Sequence, residues 1–192
     1  MQLSEMLAAV RNNLNEVGIT EMFSDSDITE WLNAGAKLAA RALPPQLLPD
    51  LQKVVTGSNT YVGLPDDFFL PVQLLLGSRR VPIIGPSDGG HDPGQDFALF
   101  DTYGLMWGYT IKFYPEEPAG YVFYYLATPR DMSIWIGEPG SGESTDVPGI
   151  PEAYHYALVC YATYMGASKD RMLRTQYLAM FREILGEANE RA

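Results

Sequence analysis

The stretch with the strongest claim to chemistry is GEPGSGES at residues 137–144. Gly137 and Gly142 have the spacing of a phosphate-binding loop, and Ser144 falls where the magnesium-binding hydroxyl would stand. Glu143, however, occupies the lysine position, so the loop offers a carboxylate where a phosphate needs a cation. No apolar strand leads into it, and Pro148 and Gly149 interrupt any helix behind it. A loop that binds no nucleotide is expected. The two histidines, His91 in a glycine-rich stretch and His155 in a helical pattern, have no HxxxH or HExxH partner, which leaves zinc without a ligand set. His155 is expected to be a partly buried helix residue. Cys160, among Leu158, Val159 and Tyr161, suits a small buried hydrophobe rather than a nucleophile. Asp66-Asp67 and Glu116-Glu117 sit in turn signals and read as solvated acids, and Asp88, Asp92 and Asp96 lack the ligand grammar of a calcium loop. No catalytic constellation, metal site or cofactor is expected.

Bulk composition narrows the function classes further. Thirteen Lys+Arg against 24 Asp+Glu give a net charge of -11. Phosphate affinity comes from clustered cations, so this balance argues against a general nucleic-acid or anionic-membrane binder. No basic run exists: Arg79-Arg80 is the only adjacent pair, and Arg171 and Arg174 are balanced by nearby acids. Beside DNA such a chain would act as a repelling wall rather than a grip. Hydrophobic content of 46% and aromatic content of 12% indicate a folded globular protein. No apolar run approaches a membrane span, and the start, MQLSE, does not read as a signal peptide. A single cysteine excludes an internal disulfide and suits folding in a reducing compartment.

The best-specified element is a helix within Phe23 to Leu43, FSDSDITEWLNAGAKLAARAL. Ser24 is a good N-cap, Asp27 completes a capping box, and Phe23 and Ile28 stand where a hydrophobic staple needs them. Ile28, Trp31, Leu32, Gly35, Ala36, Leu38, Ala39, Ala42 and Leu43 share one face, with Glu30, Asn33, Lys37 and Arg41 opposite. Phe23, Ile28, Trp31 and Leu32 are the expected core residues. The small residues Gly35, Ala36 and Ala39 let another helix come close, and Pro44-Pro45 stops the element. Before it, Leu3, Met6, Leu7, Val10, Leu14 and Val17 form a second helical stripe, expected to pair with it as an antiparallel hairpin.

After residues 44–52 the texture turns to short strands. Residues 53–56 and 60–62 read as a hairpin, and 72–76 with 79–84 as a further strand pair. Residues 109–114 alternate as an edge-side strand would, whereas 121–126 are apolar on both faces. Two C-terminal helices follow. Pro151 is expected at the start of the first, whose inner face is Tyr154, Ala157, Leu158, Tyr161 and Met165. The second carries Leu173, Tyr177, Met180, Phe181, Ile184 and Ala188. The expected class is α+β: N- and C-terminal helices, 1–43 and 150–192, form one bundle beside a central antiparallel sheet or sandwich layer of about six strands in 53–128, all within one domain, 1–192. The spans 85–104 and 129–149 are expected to be long loops. Both are rich in Gly, Pro, Asp and Ser, yet carry Phe97, Phe100, Tyr103, Trp135 and Ile136, which are costly to leave in water. Those five are the expected assembly surface. Tyr103, Trp107, Tyr109, Tyr114, Tyr121, Tyr124 and Tyr125 cluster in and beside the strands; some of them must be core, and those in loops or on the outer sheet face suit an interface, where Tyr and Trp are enriched.

Several stretches, in this order, carry a resemblance: the capped helix, TYVGLPDDFFLPVQLLL, GSRRVPI, YTIKFYPEEPAGYVFYYLATP and VPGIPEAYHYALVCYATYMGASKD. The chain resembles the head-to-tail adaptors (connector or gatekeeper, tail-tubular-A-like proteins) of tailed bacteriophages over nearly its whole length. That resemblance implies a non-enzymatic structural virion protein of the neck, present in host cytoplasm during assembly and without a membrane. It implies a ring of about twelve copies docked beneath the portal. The ring would extend the DNA channel without specific DNA binding and present a surface to the tail or nozzle protein. The competing reading from the residues is a binding module, in which an aromatic-rich sheet of a phage tail holds a glycan or small ligand. An enzyme would need an acid–base pair or metal set that the sequence does not supply.

Overall fold

The computed structural model describes residues 1–15, 22–85, 102–114, 120–133, 146–167 and 170–191, with side chains up to residue 186 in the last segment. The elements run in the expected order of helices, strands and helices, an α+β plan. The chain divides into two compact units, residues 1–51 with 129–192 and residues 52–128.

Four helices make the first unit among its described residues: α1 (Leu3–Asn13), α2 (Asp25–Ala42), α3 (His155–Gly166) and α4 (Arg171–Arg191). Helix α2 starts as its residues dictate. The Ser24 hydroxyl accepts from Asp27 N at 3.1 Å, and Ser24 N donates to the Asp27 carboxylate at 2.9 Å, so two orphan donors of the first turn are satisfied reciprocally. Ile28, Leu32, Gly35, Ala36, Ala39 and Leu43 are buried, whereas Leu38 and Ala42 lie at the exposed margin. Phe23 and Trp31 are half-buried, their rings meeting edge-on at 4.9 Å.

Helix α3 is buried on almost every side, with Ala157, Leu158, Val159, Cys160, Ala162 and Thr163 all inaccessible, and α1, α2 and α4 each pack against it. Gly35 lets α2 approach it closely, because a Cβ there would stand 3.1 Å from the Tyr161 ring, which would have to shift by a few tenths of an ångström. Pro151 does not begin this helix. It caps a 3-10 turn, Glu152–Tyr154, and the α-helix starts at His155. Met165, expected on the inner face, is exposed, since burial around α3 follows its several neighbours rather than one stripe. Asp170 caps α4, its carboxylate accepting from Met172 N and Leu173 N at 3.0 Å each.

The polar face of α2 is not simply solvated. The Asn33 side chain donates to Met132 O and accepts from Met132 N, both at 2.9 Å, so it pairs with that peptide as a neighbouring strand would. Lys37 reaches Asp131 at 2.7 Å, and Asp146 accepts from Ser133 N at 2.9 Å while its carbonyl accepts from Leu3 N at 2.8 Å. Both described arms of the 129–149 segment are thereby tied to the helical unit.

Among its described residues the second unit holds eight strands: β1 (Gln52–Gly57), β2 (Tyr61–Gly63), β3 (Phe68–Leu76), β4 (Arg79–Val81), β5 (Ile83–Ile84), β6 (Tyr103–Trp107), β7 (Thr110–Tyr114) and β8 (Tyr121–Ala127). They form two four-stranded sheets, ordered β1-β8-β3-β4 and β2-β7-β6-β5, antiparallel throughout except for the short β5–β6 pair. Inner residues of both sheets (Leu74, Tyr121, Phe123 and Tyr125 with Val62, Ile111 and Phe113) share one core. The expected six strands become eight for two reasons. Pro82, which lacks an N–H, ends β4 and lets the chain pass to the other sheet as β5. Tyr103–Trp107 is a strand that begins inside the expected 85–104 loop.

Pairing also departs from expectation. Residues 53–56 and 60–62 do not form a hairpin, since β1 pairs with β8 and β2 with β7. The local turn signal marked a bend without choosing partners. Nor is β7 an edge strand, because it lies between β2 and β6. The β3–β4 hairpin and the central position of β8 are as expected.

Asp66 and Asp67 behave differently from each other. Asp66 is exposed, but Asp67 accepts from Lys53 Nζ and from the hydroxyl of the buried Tyr125 at 2.9 Å, and its carbonyl accepts from Thr128 N at 2.7 Å. The Lys53 ammonium holds the Asp67 carboxyl below the usual range, while burial and Asp67 push the Tyr125 hydroxyl up to about 12. The solvated-acid reading therefore fails for Asp67, whose turn is folded back onto β1 and β8.

Two expectations follow. Asp67→Ala, which strands a buried hydroxyl, lowers stability by about 1–3 kcal/mol, and Asp66→Ala changes it by less than about 0.5 kcal/mol, measured by urea melts. Because the Asp67 carboxyl titrates lower in the folded chain, its contribution is present above about pH 4 and lost as pH falls below that. On α2, Asn33→Ala costs about 1–3 kcal/mol through the stranded Met132 peptide, whereas Lys37→Ala, at a solvated ion pair, stays within about 1 kcal/mol. Equal effects in the same melts would show that Asn33 does not hold the segment.

Candidate assembly surface

Alternation along the strands decides which aromatic residues face out. In β7, Ile111 and Phe113 are inaccessible in the core, which turns Thr110, Lys112 and Tyr114 outward. Register then assigns their neighbours. Tyr61 and Leu105 flank Lys112, Trp107 lies opposite Thr110, and Tyr103 lies opposite Tyr114. The outer face of this sheet thus carries three tyrosines, a tryptophan and a leucine around one lysine. Tyr103 and Tyr114 stack at 5.4 Å with 12° between ring planes. Exposure rises across the sheet from buried Ile84 on β5 to Tyr61, which is 47% exposed.

The β6–β7 turn extends this face. Gly108 has φ of +59°, and Tyr109 after it does not share the positive φ, as a turn with glycine at its first central position requires. Thr110 Oγ1 donates to Trp107 O at 3.1 Å, and Tyr109 O accepts from Leu64 N at 2.9 Å. The tip is therefore held in place while Trp107 is 70% and Tyr109 87% exposed. A cleft of about 450 Å³ lined by Leu64, Pro65, Asp66, Phe68 and Tyr109 lies beside it. Large aromatics on a backbone already held in place leave only their side chains to be ordered on binding, which is the character of interface anchors.

The other sheet has its own outer face. With Phe123 and Tyr125 turned inward, Val122 and Tyr124 point out, flanked by Thr56 and Val54 on β1 and by Leu75 and Gln73 on β3, with Arg80 at the far edge on β4. Val54 is 54% and Tyr124 38% exposed. Since the two sheets share one core, these two faces lie on opposite sides of the strand unit.

Of the five residues expected at an assembly surface, Tyr103 is placed, as the first residue of β6 on the outer face. Phe97, Phe100, Trp135 and Ile136 lie outside the described residues, as do His91, Asp88, Asp92, Asp96, Glu116, Glu117 and the 137–144 loop. Trp107 and Tyr109 are among the strand-associated aromatics that the sequence offers for an interface, though not among those five, and they stand exposed at the β6–β7 turn. Their signal was the spacing LMW-GY-TIKFY, two alternating runs about a two-residue turn with glycine first.

The remaining candidates for chemistry are internal. Cys160 is inaccessible, and burial pushes its thiol up to about 11, away from thiolate reactivity. His155 is buried more deeply than expected. Its Nε2 donates to Ile150 O at 2.8 Å, which leaves Nδ1 to accept from the Met1 amine at 2.9 Å. Burial holds its pKa below the ordinary value near 6.5. Among the described residues no group of His, Cys, Asp or Glu could hold a metal, and no helix is long and apolar enough to cross a membrane.

A model of the SU10 adaptor protein family matches residues 1–192, the whole chain. No curated protein matches it.

The depressed His155 pKa has a consequence for stability. Between the folded and unfolded values the unfolded chain binds more protons, so stability present above about pH 6.5 declines as pH falls toward the folded value. The carboxylates Asp27, Asp67 and Glu152, all held low in the folded chain, act only at more acid pH. His155→Gln, which keeps a donor for Ile150 O, removes the slope just below about pH 6.5 and leaves the acid limb intact, as read by unfolding midpoints across pH.

Proposed function

The chain belongs to the SU10 adaptor protein family, a family of phage head-to-tail adaptors, and we propose that its copies form a ring beneath the portal that receives the tail. The observation that carries this reading is the whole-chain family match. The described structure supports it: each outer sheet face of the strand unit carries exposed large apolar residues, Tyr61 and Trp107 on one and Val54 and Tyr124 on the other, and the titratable groups suited to chemistry are buried or tied to structure. In this reading the protein is structural, resides in the virion neck and associates with portal and tail proteins, and its net charge of -11 lets DNA pass without being gripped. The 85–104 and 129–149 segments, with Phe97, Phe100, Trp135 and Ile136, serve as further assembly surfaces alongside Tyr103.

The alternative binding module draws on one specific observation, the stacked Tyr103–Tyr114 pair beside Trp107, since flat aromatic surfaces also hold sugars. Electron microscopy of the purified chain mixed with portal separates the two. Rings seated on the portal end are expected. A monomer that ignores portal and binds oligosaccharide saturably would overturn the adaptor reading.

A further inference from the structure

The strand unit carries two unlike apolar faces on its opposite sides, and this constrains what can cover them. One face presents Tyr61, Leu105 and Trp107 around Lys112, and the other presents Val54, Val122 and Tyr124. We propose that these two faces bind each other between neighbouring copies of this chain, the Tyr61–Trp107 face of one copy seated on the Val54–Tyr124 face of the next. The inference rests on the adaptor reading for its biological setting, but its evidence is the strand unit alone.

Symmetry and charge favour this pairing. A two-fold contact uses one patch twice, whereas a head-to-tail contact needs two different patches facing away from each other, and only the second arrangement continues into a ring. Pairing the Tyr61–Trp107 face with itself would leave Val54 and Tyr124 in water. It would also bring two Lys112 ammonium groups into one interface, and like charges there cost free energy. In the head-to-tail arrangement Lys112, which has no ion-pair partner among the described residues, meets the exposed ring of Tyr124, whose π face attracts a cation. Arg80 does not oppose this. It lies on edge strand β4, while the apolar row centres on β1 and β8 at the other side of that sheet.

The backbone of both faces is already held in place, which favours such a contact. The Trp107 tip is tied by Thr110 and by Leu64, and the Val54 row is paired along the whole of β1 from Gln52 to Gly57. Little must be ordered when the faces meet.

Blocking one face at a time tests the proposal. Trp107→Glu spoils the first face and Val54→Glu the second. Met172→Glu, at an exposed apolar residue of α4, is the control. All three positions are exposed, and denaturation midpoints confirm folding before assembly is measured. In sedimentation velocity over a concentration series, the unaltered full chain and the control self-associate. Each face variant alone associates at least about tenfold more weakly. An equimolar mixture of the two face variants forms one-to-one pairs and nothing larger, because one intact face of each kind remains. The proposal is overturned if the unaltered chain stays monomeric throughout, if either face variant alone associates as well as the unaltered chain, or if the mixture does not pair. Portal binding, measured in parallel, separates the two readings. Lost pairing with intact portal binding sinks this inference alone, and intact pairing with no portal binding sinks the adaptor reading alone.

Discussion

The helical unit depends on burying α3. HYALVCYATYMG has no polar stripe wide enough to face water, so the helix is stable only when other elements cover it on several sides. The two halves of the chain meet this demand together, with α1 and α2 from before the strands and α4 from after them. The close approach at Gly35, the ring contact of Tyr161 with Phe181 at 5.3 Å and the Thr163 hydroxyl bonded to Val159 O are local consequences. Each buried polar group on α3 has a partner, as the low dielectric of its surroundings demands. Because the covering helices lie on both sides of the strand segment in the sequence, that segment is an insertion between the two halves of the helical unit.

The strand unit answers a different constraint. Two sheets share a single row of buried aromatics, Phe113, Tyr121, Phe123 and Tyr125, and those rings need flanking elements that cannot slip. Asp67 supplies one pin by reaching β1 through Lys53 and β8 through Tyr125. The full six-residue register of β1 against β8 supplies another. With the inner faces committed, alternation leaves every second residue outside. Here those residues include Tyr61, Trp107, Val54 and Tyr124, where a solitary soluble domain would more often carry charge.

An adaptor needs surfaces held in place rather than a reactive centre, and the distribution of polar chemistry agrees with that need. The histidine, the cysteine and the best-tethered aspartate of the described residues all serve packing. The aromatic residues held outside by turn and register are the ones available to partners. Asn33 shows the same economy on the helical unit: a side chain on the polar face of α2 acts as a surrogate peptide and fixes where the segment after β8 runs.

Short-range physics made part of this structure legible before any coordinates. The Ser24–Asp27 cap, the small-residue patch at Gly35, the β3–β4 hairpin at Gly77-Ser78 and the helices–strands–helices order depend on residues a few positions apart, so the sequence carries them openly. The internal character of Cys160 was readable from its apolar neighbours in the same way, whereas the depth at which His155 is buried was not. What only the tertiary structure decided was partnership across long separations. That β1 joins β8 and β2 joins β7, that Pro82 hands the chain from one sheet to the other, that Asp67 is held while Asp66 is not, and that Asn33 grips Met132 all turn on contacts between distant segments. A local pattern states that a strand has a buried face. Which strand covers it is settled by how well the rows of side chains bury one another once the whole unit closes, and adjacent residues carry no record of that choice.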